Sequence, residues 1–267
     1  MDKSIEIIKL RDNLYLLDEA HEATGYLLIG EEKACLIDTM NGYNDLKKIT
    51  SELTDKPIIV VNTHGHPDHI FGNVYFDKGY MDPVDIDIAN AFLGDPECRE
   101  WLEKNDLVFP PFEPVREGDV IELGGITLKV ISIPGHTPGG ILLLCPEERI
   151  LFTGDSINHH LWMQLDHSLS IEDMVASVER ILYLENEADY ILHGHARNFD
   201  DISLISAMLG GLKELLEGKT EKDTPYKWFE GVSMYHPYDA PEGKRYSQDD
   251  HGICYEPKNI RRNGNLQ

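Results

Sequence analysis

Basic residues are scarce in this chain: among 267 residues, 24 Lys and Arg stand against 48 Asp and Glu, a formal charge of −24. Nucleic acids and anionic membrane surfaces are held by clustered cations, so neither is an expected partner. Long apolar runs are missing too, and no stretch approaches the roughly 18 residues that a bilayer-spanning helix needs. Met1 to Leu10 alternates charged and aliphatic residues and lacks the apolar core of an export signal, so a cytoplasmic protein is expected. Cysteine is limited to Cys35, Cys98, Cys145 and Cys254, with no C-x-x-C. That scatter favours reduced thiols over disulfides or a cysteine-rich metal site. What is present is ordinary globular composition, 41 % hydrophobic and 27 % charged, long enough for a substantial core.

Short apolar runs punctuated by turn signals dominate the first third. Leu14–Leu17, Gly25–Gly30 and Ala34–Asp38 read as strands, Asp45–Leu53 as an amphipathic helix and Ile58–Val61 as a buried strand. Residues 78–117 carry Pro83, Pro96, Pro110, Pro111 and Pro114 around a short helical stretch near Asp85–Leu102, the pattern of a lid or pocket wall. Strands resume at Val120–Ile121, Thr127–Ile133, Ile141–Leu144 and Ile150–Thr153. Helices follow at Ile171–Glu185 and Asp201–Glu217, with the strand Tyr190–Leu192 between them. An internal echo links Leu27–Asp38 to Leu143–Asp155: strand, Glu-Glu-basic turn, strand, then Asp. It suggests two similar β-rich halves. Residues 1–218 are thus expected to form one domain. The extension 219–267 is polar, with Tyr226, Trp228, Phe229, Tyr235, Tyr238 and Tyr246, and is expected to pack on that domain, form an interface, or fray.

Chemistry concentrates directly after the buried strand, in Thr63-His-Gly-His-Pro-Asp-His69. Residues i and i+2 of an extended segment share a side, so His64 and His66 can converge on one ion. Pro67 suits the first turn of a helix, from which Asp68 and His69 would project towards a second. Imidazole and carboxylate donors together favour Zn²⁺, Fe or Mn over Ca²⁺ or Mg²⁺. Three further segments occupy the same strand-end position. Pro134-Gly-His-Thr-Pro-Gly139 offers His136, Thr153-Gly-Asp-Ser156 offers Asp155, and Leu192-His-Gly-His-Ala196 offers His193 and His195.

In that order, H-x-H-x-D-H, P-G-H-T-P-G, T-G-D and a late G-H resemble the metallo-β-lactamase superfamily over about residues 10–217. The resemblance implies an α/β (α+β) fold, a four-layer αββα sandwich of two mixed sheets flanked by helices. It also implies a dinuclear centre, with His64, His66 and His136 on one metal, Asp68, His69 and His195 on the other, and Asp155 bridging. Two divalent ions per chain follow from it, Zn first and Fe or Mn as alternatives. Departures narrow the subclass. The best-known zinc β-lactamases have Cys at the position of Asp155 and are exported, so antibiotic hydrolysis is not expected. Flavodiiron relatives carry Glu where this chain has His66. The usual Pro-Gly-His is His193-Gly-His here, which leaves His193 as a spare imidazole with a structural role.

The implied reaction is hydrolysis of a small ester, thioester or lactone by a metal-bridging hydroxide, with Asp68 as the catalytic carboxylate that orients it and takes its proton. A phosphodiesterase or nuclease of the same fold, a mononuclear-iron oxidoreductase similar to sulfur dioxygenases, and a non-catalytic binding module are the alternatives. Substrate-contact candidates lie on loops near the ligands: His159, His160 and Trp162 first, then His21 and Thr24 in the first hairpin and Phe109 and Phe112 in the proline-rich segment. No basic cluster stands ready for an anionic group, although folding could bring in Arg180, Arg197 or Lys213.

Overall fold

A computed structural model of the chain describes residues 3–228 and 231–262; Phe229 lies outside them. The first sheet runs in the order β1 (Ile5–Arg11), β2 (Leu14–Glu19), β3 (Ala23–Ile29), β4 (Ala34–Ile37), β5 (Ile58–Val61), β6 (Gly79–Met81) and β7 (Phe112–Pro114). Antiparallel pairing up to β4 gives way to parallel pairing from β4 onward. Helices α1 (Leu46–Leu53), α2 (Pro67–Ile70), α3 (Pro83–Leu93) and α4 (Pro96–Lys104) fill the connections.

The second half starts with β8 (Val120–Glu122), β9 (Thr127–Ser132), β10 (Ile141–Cys145) and β11 (Ile150–Gly154). The chain then leaves this sheet for β12 (His160–Met163), and β13 (Tyr190–His193) and β14 (Asp200–Asp201) return to complete it. Helices α5 (Ile171–Ile181) and α6 (Leu204–Glu217) cover the outer face.

Alternation along the strands builds the layers. Tyr26 and Leu28 of β3 face the second sheet, meeting Leu143, Ile150 and Phe152, whereas Leu27 packs with Leu36 and Leu46 under α1. On β10, Ile141 and Leu143 point inward while Leu142 and Leu144 meet α5 and α6. A period of two buries both faces of a strand only when each face has a layer of its own. The result is the expected helix, sheet, sheet, helix order, a mixed-sheet α+β architecture.

The internal echo is realised in three dimensions. The hairpins β3–β4 and β10–β11 each end on an aspartate, Asp38 and Asp155, and each second strand pairs in parallel with a later strand, β5 or β13.

Several local elements add to or differ from what the sequence suggested. Ile5–Arg11 is a strand, because its half-buried edge pairs with β2 even though its composition is mixed. The expected helix Ile171–Glu185 changes to a 3₁₀ turn at Leu182, and Asp201 belongs to strand β14 rather than to α6. Segment 78–117, expected to hold one short helical stretch, contains two helices, the interior strand β6 and the edge strand β7. The extension forms β15 (Thr224–Trp228), β16 (Gly231–Pro237) and β17 (Gly252–Tyr255), which join β12 in a third sheet ordered β12-β17-β16-β15. Its strands contain Pro225, Gly231 and Pro237, residues that weaken a strand signature and are tolerated here near strand ends. No helix among the described residues is long and apolar enough to cross a membrane.

Candidate metal centre

Every motif loop leaves a strand on the same edge of the two stacked sheets. His64 follows β5, His136 follows β9, Asp155 follows β11, and His195 follows β13. Pro67 sits at the first position of α2 and His66 at its N-cap, so Asp68 and His69 project from one short turn. Gly154 takes φ +49°, and a Cβ there would lie 2.2 Å from Thr63 Oγ1. At Gly194 a Cβ would meet Asp155 Oδ1 and His69 Cε1 at 2.4 Å. The T-G-D and H-G-H glycines are thus required by close approach of the loops.

The hydrogen-bond network sets the tautomers, and these decide what the cluster can hold. Thr63 Oγ1 gives its proton to Asp38 Oδ2 at 2.7 Å, so His64 Nδ1, 3.0 Å from that hydroxyl, donates and its Nε2 is a bare lone pair. His136 Nδ1 donates to the carbonyl of Trp162 at 2.6 Å, which leaves its Nε2 bare. Those two nitrogens stand 2.9 and 3.1 Å from His66 Nδ1. At most one proton could stand among the three, on His66. Placed on its Nε2 towards His167 Nε2, 2.5 Å away, it leaves three lone pairs converging. Burial and neighbouring imidazoles push His64 and His66 well below the ordinary histidine value, and burial lowers His136 and brings His167 down to about 4. This half of the cluster is therefore neutral and rich in lone pairs.

The other half carries the charge. His69 Nδ1 donates to Asp38 Oδ2 at 3.0 Å, and its Nε2 is buried without a hydrogen-bond partner, 3.5 Å from Asp68 Oδ2 and 3.6 Å from Asp155 Oδ1. His195 Nδ1 donates to the carbonyl of Glu22 at 2.8 Å, and its Nε2 lies 3.1 Å from Asp155 Oδ2 and 3.8 Å from Asp68 Oδ2. Burial opposes protonation of His195, yet the charge and hydrogen bond of Asp155, with Asp68 behind them, lift it to about 9. His69 is raised well above its usual value against the same burial penalty, by Asp68, Asp155 and Asp38. Conversely, burial of Asp68 and Asp155 is outweighed by these imidazoles, which hold both carboxyls low.

Acceptors without protons, facing one another in a buried cage, are unstable unless a cation stands among them. The donor groups His64, His66 and His136; His64, His69 and Asp155; and Asp68, His69 and His195 each converge within metal-ligating reach. The orphaned His69 Nε2 and Asp155 Oδ1 point the same way. Imidazole nitrogens with carboxylate oxygens are the donor set of a divalent transition-type metal, so the residues fit such ions.

Neighbouring groups hold this cage in shape. Asp38, with φ +58°, turns its carboxylate onto Thr63 N, Thr63 Oγ1 and His69 Nδ1. Asp85, on α3, accepts from Gly65 N at 2.9 Å and Gly139 N at 2.6 Å, tying two motif loops together. Asp38 was detectable in the sequence as the echo of Asp155. Asp85 and His167 left no sequence signal, because their roles come only from contact.

The substrate candidates are dispersed. Trp162 lines a cavity of about 1060 Å³ that opens on the cluster, with Phe92, Leu165 and Tyr226. Its ring meets Tyr226 and Trp228 at 6.1 and 5.9 Å between centroids. His160 borders this cavity but pairs with Asp250 at 3.1 Å. His159 borders the same cavity but is fully buried and bonds Asp200 at 3.0 Å. His21 pairs with Asp18 at 2.6 Å and, with Thr24, borders a second cavity. Phe109 and Phe112 pack on Ile70 and Met81 away from both cavities.

The spare imidazole has a task. His193 Nδ1 accepts from His195 N at 3.2 Å, so its Nε2 carries the proton towards Asp200 Oδ2 at 3.2 Å. Asp200 also accepts from Ser247 N and, at 3.0 Å, from Ser247 Oγ, which links the extension to the backbone of His195.

Comparison with known proteins agrees. The metallo-beta-lactamase superfamily model matches residues 21–195. The chain is 26 % identical over 225 residues to the acyl-coenzyme A thioesterase MBLAC2 of Homo sapiens, covering 71 % of this chain and 80 % of that one. To the hydroxyacylglutathione hydrolase GloC of Haemophilus influenzae it is 27 % identical over 173 residues, 62 % and 81 % of the two chains. In fold it resembles the crystal structure of a metallo-beta-lactamase family protein from Thermus thermophilus, with TM-score 0.59 at 22 % identity, covering 83 % and 87 %. This chain belongs to the metallo-beta-lactamase superfamily and is one of its metal-dependent hydrolases.

Proposed function

We propose that the protein hydrolyses thioesters of small molecules at a dinuclear zinc centre, as a cytoplasmic enzyme. The observation that carries this reading is the convergence of imidazole nitrogens and carboxylate oxygens in one cage beside an apolar cavity. His64 Nε2, His66 Nδ1 and His136 Nε2 would hold one ion, Asp68, His69 and His195 the other, and Asp155 would lie between them. Bound there, such ions lower the pKa of a water towards neutrality and polarise the carbonyl that it attacks.

The chain's own groups do the rest. Asp68 orients the water and takes its proton, the water oxygen bonds to the acyl carbon, and the carbon–sulfur bond breaks. The proton held on Asp68 then goes to the departing sulfur. Phe92, Trp162, Leu165 and Tyr226 form an apolar wall for the acyl group. Glu22 and Asp166 border the same cavity, and no Lys or Arg among the described residues does, which disfavours a phosphodiester. Thioesterase activity in the name of a relative that shares 80 % of its length with this chain supports the substrate class. The free, buried thiols Cys35, Cys145 and Cys254 support a reducing compartment.

Elemental analysis of anaerobically purified protein, followed by thioester, ester, lactone, phosphodiester and persulfide substrates, tests the reading. Two zinc ions per chain with fastest turnover of a thioester is the expected result. One iron per chain with persulfide oxidation would overturn it.

A further inference from the structure

Two cavities meet at the centre and differ in chemistry. The larger, of about 1060 Å³, has the aromatic wall; the smaller, of about 350 Å³, is polar and is bordered by Thr24, Arg197 and Ser247. Glu22, His195 and Gln248 border both, so His195 stands at the junction. A molecule whose reacting bond lies at the centre can therefore place one end in each.

Arg197 sets the smaller cavity apart. Of the three cations that folding could have brought to the site, Arg180 is spent on Glu117 at 2.6 Å and Lys213 on Glu179 at 2.7 Å, both away from it. Arg197 borders the smaller cavity, exposed, and has no ion-pair partner among the described residues. The carboxylates there are already engaged: Asp18 accepts from His21 N and pairs with its ring, and Glu22 accepts from Tyr43 Oη at 3.1 Å. In a chain with twice as many acidic as basic residues, an unpaired guanidinium beside a metal-binding loop is a specific feature.

Its position is also held. Thr24 N donates to Gly194 O at 2.7 Å and Thr24 Oγ1 to Ala196 O at 3.1 Å, strapping the loop to β3. Residues two apart lie at most about 7 Å from Cα to Cα, so Arg197 stays within a short thiol's length of His195.

We propose that the smaller cavity seats the departing thiol and that Arg197 binds an anionic group on it, a carboxylate or a phosphate, while the acyl group lies along Phe92, Trp162 and Tyr226. The orientation rests on the thioester reading; the anion seat rests on Arg197 and the cavity. Guanidinium matches both anions through paired N–H donors.

Equilibrium binding of three free thiols to the metal-loaded full chain provides the test: neutral pantetheine, glutathione with its carboxylates, and coenzyme A with its phosphates. The wild type is expected to bind at least one of the anionic thiols about tenfold more tightly than pantetheine, about 1.4 kcal/mol. Arg197→Gln should remove that preference and leave pantetheine unchanged, and Arg197→Lys should restore part of it. Loss confined to glutathione identifies a carboxylate, and loss confined to coenzyme A a phosphate. No anion preference in the wild type, or one that survives Arg197→Gln, overturns the proposal while thioester turnover would leave the proposed function standing. Arg197-dependent binding without thioester turnover upholds the anion seat and overturns the thioester reading.

Discussion

The two halves of the cage solve the same problem with opposite electrostatics. His64, His66 and His136 are lowered by burial, His64 and His66 also by neighbouring imidazoles, and meet as neutral lone pairs. His69, fully buried, and His195, partly buried, are instead raised, because Asp68 and Asp155 stand within 3.1 to 3.8 Å of their inner nitrogens. Burial lowers the imidazoles of both halves, and it is the pair of carboxylates that reverses the direction in the second. One half offers a cation good geometry without charge, and the other offers it two negative charges. Without a metal the second half draws protons instead, and the first has nothing to draw.

Removing one donor from each half breaks the comparison most severely. His66→Ala and His195→Ala should each cost one metal equivalent by elemental analysis and lower kcat/KM by at least about a hundredfold, above the usual effect of an outer partner. Retention of both metals by either variant would sink the ligand assignment.

Changing the outer partners sharpens the comparison. Asp200→Asn weakens the grip of His193 on the backbone of His195, while His167→Phe removes the acceptor facing His66 Nε2. Each should lower metal affinity roughly tenfold in its own half only, read by competition with a chelator that resolves two binding steps. Equal loss from both halves in either variant would show that the cage responds as one unit.

The smallest effect is expected where a sequence candidate is a rim residue. His160 pairs with Asp250, whose side chain is 75 % exposed, and such pairs contribute at most about 1 kcal/mol. His160→Ala should leave metal content unchanged and shift stability by less than that, measured by denaturant titration. A large change in KM would restore it as a substrate contact.

Local chemistry made much of the site legible. H-x-H-x-D-H is compressed into one strand end and one helical turn, so spacing alone puts its donors on shared faces. The remaining donors follow strands recognisable by their apolar runs, and the resemblance joined them. Period-two alternation likewise exposed the two sheets. Other features left no mark. β1 and the third sheet have mixed composition because only part of their surface is buried, and the tilt of α3 that brings Asp85 to Gly65 and Gly139 is a matter of packing.

The sequence by itself determined which residues can donate to a metal, since that depends on side-chain type and on strand and helix periods, both local. Tertiary structure decided their protonation, because a pKa depends on burial and on charges that arrive from distant parts of the chain: Asp38 on His69, Asp155 on His195, His136 on His66. It decided the cavities as well. Trp162 and Tyr226, and Arg197 and Ser247, are far apart in sequence and face common space only once the third sheet has closed beside the centre.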